Sequence, residues 1–222
     1  MGVTESLRVA FDRDLLYVGL LANTLGILAF AYVLLADITL TQPRYAFYGL
    51  LWIAVGVLAV WKTTPAPADE KTRRRAGVVA VGYLVALAVA GGIVVSSVPS
   101  GADWGARLAT LAPGWGPAPV FTTPYVAVVL MPARVVGYLA LAYLVYATVI
   151  DASGSAVSGL LGLLSCVSCS WPILASLLTG VFGSSSALVA ATFDLSYDIS
   201  TLVFVVTVAL LYWRPFGFSE GD

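Results

Sequence analysis

The chain has 222 residues, of which 60% are apolar and only 10% charged, with a net charge of −1 and no histidine. A water-soluble domain carries about 25% charged residues, so a soluble globule is excluded. The near-neutral balance shows no basic stripe and gives no footing for nucleic acid.

A mean hydropathy of +0.95 makes the lipid bilayer the implied solvent and partner, where only helices and closed barrels satisfy every backbone group. The apolar runs are continuous and do not alternate, so the expected fold is all-α: a polytopic membrane bundle of six transmembrane helices in a single integral domain. The N-terminal sequence MGVTESLRVAFDRD is charged and lacks an apolar stretch before a cleavage site, so the first helix is expected to be a retained anchor. Spans are expected over 15–36, 45–61, 76–98, 125–150, 155–182 and 195–213. Asn23 and Thr24 in the first span read as helix–helix hydrogen-bonders, and Tyr138, Tyr143 and Tyr146 in the fourth as packing.

The basic residues orient this bundle. Lys62, Lys71 and Arg73 to Arg75 lie between spans two and three, Arg8 and Arg13 precede span one, and Arg214 follows span six. Only Arg44 and Arg107 fall on the other side, Arg134 set apart. The positive-inside rule then puts both termini in the cytoplasm of a cell-membrane protein. The external loop, 99–124, contains Trp104, Arg107, Trp115 and the run Pro113-Gly-Trp-Gly-Pro-Ala-Pro119. A short helix over 103–112 would put Trp104, Leu108 and Leu111 on one face at the membrane surface, serving as an interfacial anchor or as a lid or docking surface.

The fifth span holds the only two cysteines, Cys166 and Cys169, just ahead of Pro172. Ser155, Gly159, Gly162, Cys166 and Cys169 recur at steps of four and three along one helix face. Such a stripe suits close helix packing. The same spacing lets two thiols hold a soft ion such as copper(I), or cycle between dithiol and disulfide. In a regular helix the two Cβ atoms stand about 5–6 Å apart, whereas a disulfide needs about 3.8 Å. Pro172, which removes a hydrogen bond to Ser168 and can break the helix there, would allow the closure.

Counted from the cytoplasmic ends at ~1.5 Å per residue, Cys169, Arg134 and Asp198 rise ~21, ~24 and ~22 Å. They are expected to share a layer, with Arg134 favouring the thiolate and Asp198 compensating Arg134. A span four beginning near Val135 would instead leave Arg134 at the interface. The absence of histidine removes bis-histidine haem and histidine-bound zinc or copper, and no phosphate loop or nucleophile elbow is present.

The stretches ITLTQPRYAFYGLLW (38–52) and RVVGYLALAYLVY (134–146), with the segment around Cys166 and Cys169, resemble an uncharacterised family of haloarchaeal multi-pass membrane proteins. That resemblance carries no established activity. It implies company with respiratory-oxidase assembly and ABC-transporter components, which fits copper or thiol handling. The C-x-x-C within a span is also similar to membrane thiol oxidoreductases of the vitamin K epoxide reductase type, although the second, loop-borne cysteine pair of those enzymes is missing. Two functions therefore stay open. One is an intramembrane copper(I) or thiol-redox site in respiratory-chain biogenesis. The other is a non-enzymatic subunit of a transporter or respiratory assembly, docked to a membrane-protein partner through the cysteine face. Whether the chain is an enzyme, and its oligomeric state, stay open as well.

Overall fold

The computed structural model describes residues 3–38, 42–95, 104–152 and 186–213. Among them are five helices, α1 (Val3–Ala36), α2 (Pro43–Lys62), α3 (Glu70–Ala90), α4 (Pro132–Ala152) and α5 (Ser186–Trp213). Four short strands, β1 (Val94–Val95), β2 (Gly105–Ala109), β3 (Ala118–Thr122) and β4 (Ala127–Val129), lie between α3 and α4. Windows long and apolar enough to cross a membrane occur at Asp14–Ala36, Pro43–Lys62 and Pro132–Asp151, with a shorter apolar stretch at Ser200–Tyr212. The expectation of six spans is thus corrected to a mostly helical chain with a small sheet. The fifth expected span, with Cys166, Cys169 and Pro172, lies outside the described residues.

The helix ends differ from expectation for local reasons. The helix expected over 76–98 starts at Glu70, because the basic run of Lys71 and Arg73 to Arg75 forms its first turns. It stops at Ala90, where Gly91 and Gly92 follow. Gly92 takes φ +73°, and the Ile93 N–H reaches back to the Ala88 carbonyl at 3.0 Å. This is a Schellman stop, which favours glycine at its left-handed residue. α1 ends the same way at Asp37, φ +48°, with Ile38 N–H on the Val33 carbonyl.

The surface helix expected over 103–112 is instead strand β2. The Pro- and Gly-rich run after Leu111 turns the chain back, so that β2 pairs with β3 from Gly105↔Thr122 to Ala109↔Ala118. Five cross-strand pairings override a weak local helical preference. Span four, expected from 125, begins only at Pro132. Residues 127–129 are β4, paired with β3 on one side and β1 on the other, and the Thr123 hydroxyl closes the preceding turn onto Val126. The sheet is antiparallel throughout, in the order β1-β4-β3-β2.

α4 is the central helix, packed against α2, α3 and α5. Small residues let it approach closely. Gly56 of α2 sits over Val136 and Ala140, and Gly137 of α4 sits beneath the rings of Trp52 and Phe204. The core that results contains Trp52, Trp115, Tyr138, Leu141, Leu144, Phe204 and Val208. At the end far from the sheet, Lys62 pairs with Asp14. There Asp151 accepts the Ala66 N–H, and the Tyr143 hydroxyl donates to the Thr63 carbonyl. These contacts tie the end of α2 to α1 and the α2–α3 linker to α4.

Candidate functional site

Among the described residues, Arg44, Tyr48, Arg134 and Asp198 lie toward the sheet end of the bundle. The β2–β3 connection dips between the helices there and brings Trp115 into the core at 7% exposure. The Trp115 indole N–H donates to the Tyr45 carbonyl at 2.7 Å, and the Gly114 carbonyl accepts the Ala133 N–H at 2.8 Å. Gly114 takes φ +86°, and a Cβ on it would lie 2.5 Å from the Gly49 carbonyl carbon. The hairpin tip and α2 therefore meet backbone to backbone, with glycine required on both sides. From α1, the Tyr32 hydroxyl reaches the Leu111 carbonyl at 3.1 Å. The tip is thus a plug seated between α1, α2 and the start of α4.

Beneath the plug runs a polar and aromatic seam between α2 and α5. Asp198, Thr201, Phe204 and Val208 recur at steps of three and four, which puts them on one helix face. Tyr48 and Trp52 stand one turn apart on α2 and meet them. The Tyr48 hydroxyl donates to Asp198 at 2.6 Å, and the Trp52 indole N–H to the Thr201 hydroxyl at 3.2 Å. Trp52 and Phe204 stack with centroids 4.1 Å apart and planes 8° from parallel. Arg44, over the Tyr45 ring, approaches Asp198 to 3.9 Å, and both side chains are 39% exposed.

Arg134 is held at the end of α3. It lies in the first turn of α4, and its guanidinium donates to the Gly91 carbonyl at 2.8 Å, where the Tyr138 hydroxyl also points. A cation on the last carbonyls of α3 complements the helix dipole and satisfies an orphan acceptor. The expected Arg134–Asp198 pair is not formed among the described residues. Arg134 faces the end of α3, whereas Asp198 faces Arg44 and Tyr48. Cys166 and Cys169 lie outside the described residues, so their contacts are not part of this geometry. Among the described residues no group of three or more histidine, cysteine, aspartate and glutamate side chains could hold a metal.

Sequence reading missed Arg44 as the partner of Asp198, although the depth argument contained the signal. Arg44 stands ~27 Å above Lys62 at ~1.5 Å per residue, close to the ~22 Å assigned to Asp198.

Residues 2–218 match the model of a family of unknown function, DUF7546, and the chain belongs to that family. No curated protein and no solved structure matches it.

Proposed function

We propose, from the geometry above, that the protein is a non-enzymatic integral membrane subunit whose helix α1 docks a transmembrane helix of a partner protein. Within this reading the chain is multi-pass in the cell membrane, with both termini cytoplasmic and the sheet outside, as the basic residues indicate. Large apolar side chains such as Leu16, Ile27, Phe30 and Leu35 of α1 and Val78 and Val85 of α3 are exposed in the isolated chain. Lipid or a partner would cover them.

The observation that carries the reading is the outward face of α1. Asp14, Leu21, Leu25, Ala29 and Tyr32 are half-buried on the side toward α2 and the β2–β3 connection. Tyr17 meets Trp61 edge to face on that side. Gly19, Asn23 and Gly26, at steps of four and three, are exposed on the opposite side, and a Cβ at either glycine would touch nothing within 4 Å. Thr24 satisfies its hydroxyl on the Leu20 carbonyl of its own helix. Asn23 has no such outlet among the described residues. A side-chain amide in hydrocarbon between two glycines suits a close-packed, hydrogen-bonded neighbouring helix.

Purification in mild detergent tests the reading. The intact chain is expected to carry a second, distinct polypeptide that Asn23→Leu or Gly26→Leu releases while the chain itself stays folded. A chain that migrates alone, or only with copies of itself, would overturn it.

The Cys166-x-x-Cys169 pair supports a second reading, in which the two sulfurs hold copper(I) or exchange electrons in respiratory-chain biogenesis. Changing both to serine is expected to abolish copper binding and thiol reactivity under that reading, and to leave partner retention intact under the first.

A further inference from the structure

We infer that the outward face of the four-stranded sheet rests in the headgroup region of the bilayer and fixes the depth of the sheet end. This rests on the membrane-embedded reading above but not on the α1 contact.

An antiparallel sheet that packs one face on a core ordinarily turns polar residues outward on the other. This sheet does not. Ala118 and Val120 of β3 are buried beneath it. On its far face Ala106 stands opposite Phe121, Leu108 opposite Pro119, and Phe121 opposite Val128. Leu108 is 63% exposed and Phe121 48%, and they are flanked by Trp104 at 79% and Tyr125 at 81%. From residue 104 to 133 the only charged side chain is Arg107. An apolar patch with almost no charge around it is not a surface made for water.

The attachment of the sheet favours lipid over a protein as the occupant. Val94 follows four residues after α3 ends and Val129 precedes α4 by three, and the Val129 N–H holds the Ile93 carbonyl at 2.8 Å. The 21 residues of α4 rise about 31 Å, about the thickness of the hydrocarbon layer. A sheet fixed to its first turn therefore sits at headgroup level, where tryptophan and tyrosine concentrate. The exposed face continues the lipid-facing belt of the helices.

Tryptophan quenching in phosphatidylcholine vesicles tests the inference, with the Trp104 signal taken as the difference between the intact chain and Trp104→Phe. The expected result is strong quenching of that signal by lipids brominated high on the acyl chain and weak quenching by aqueous iodide. The double variant Leu108→Lys, Phe121→Lys is expected to reverse the pattern. Quenching by iodide alone would overturn the inference in favour of a water-exposed face. Protection from both quenchers would overturn it in favour of a protein cover. Alkaline carbonate extraction separates the two failures: release of the chain from the vesicles refutes membrane embedding itself, whereas retention with an unquenched Trp104 refutes only the sheet placement.

Discussion

Replacing Gly114 by alanine strikes the hairpin plug where it has least room. Gly114 takes φ +86°, and the new Cβ would lie 2.5 Å from the Gly49 carbonyl carbon and 2.7 Å from the Leu50 nitrogen. Both neighbours are backbone atoms of α2, so no side-chain rotation relieves the contact. The left-handed conformation costs a non-glycine residue about 1–2 kcal/mol, and forcing an extra methyl group into a packed site costs about 1–3 kcal/mol. The sum, about 2–5 kcal/mol, corresponds on the scale of soluble domains of this size to a fall in Tm on the order of 10 °C. Thermal unfolding in detergent, followed by tryptophan emission, reads the effect directly because Trp115 is carried by the same tip. Gly82→Ala is the control. A Cβ there meets nothing within 4 Å, so the change is expected to be neutral, or to stabilise α3 by up to about 1 kcal/mol. If Gly114→Ala unfolds at the same temperature as the native chain, the hairpin is not seated on α2 and the plug is refuted.

Two further outcomes are expected. Trp52→Phe keeps an aromatic ring over Phe204 but removes the donor to Thr201, at a cost of about 0.5–1.5 kcal/mol. A double-mutant cycle with Thr201→Val should show the two losses to be less than additive, and strict additivity would mean that the bond contributes nothing. Arg134→Gln keeps a donor near the Gly91 carbonyl while removing the charge on the end of α3, which is worth about 0.3–1 kcal/mol. If Arg134 also favours the thiolate of Cys166 or Cys169, the variant shifts the pH profile of alkylation there to higher pH, and an unchanged profile refutes that role.

The helices were legible in the sequence where composition alone decides. The apolar stretches of α1, α2 and α4 are long enough to declare themselves, and Asp37 bounds the first of them as expected, whereas the Gly92 stop of α3 falls inside the span expected over 76–98. The sheet was not legible. Its strands are two to five residues long, too short for a period to show. Their pairing depends on a Pro/Gly turn whose role becomes visible only once Trp115 has found its pocket between α2 and α4. Depth arithmetic put Asp198 near the sheet end. It could not see which way a helix is rotated, and rotation gives Asp198 to Arg44 and leaves Arg134 to Gly91. Asn23 was readable as a helix-contact residue, but only the packed structure shows that it is exposed on the side of α1 away from α2.

The subunit reading is tested most directly by a photo-crosslinking amino acid placed at position 23 and irradiated in native membranes. The account predicts one discrete adduct with a different polypeptide, identified by mass spectrometry and lost when Gly19 and Gly26 are both changed to leucine. Adducts with lipid alone, or with another segment of the same chain, would contradict it.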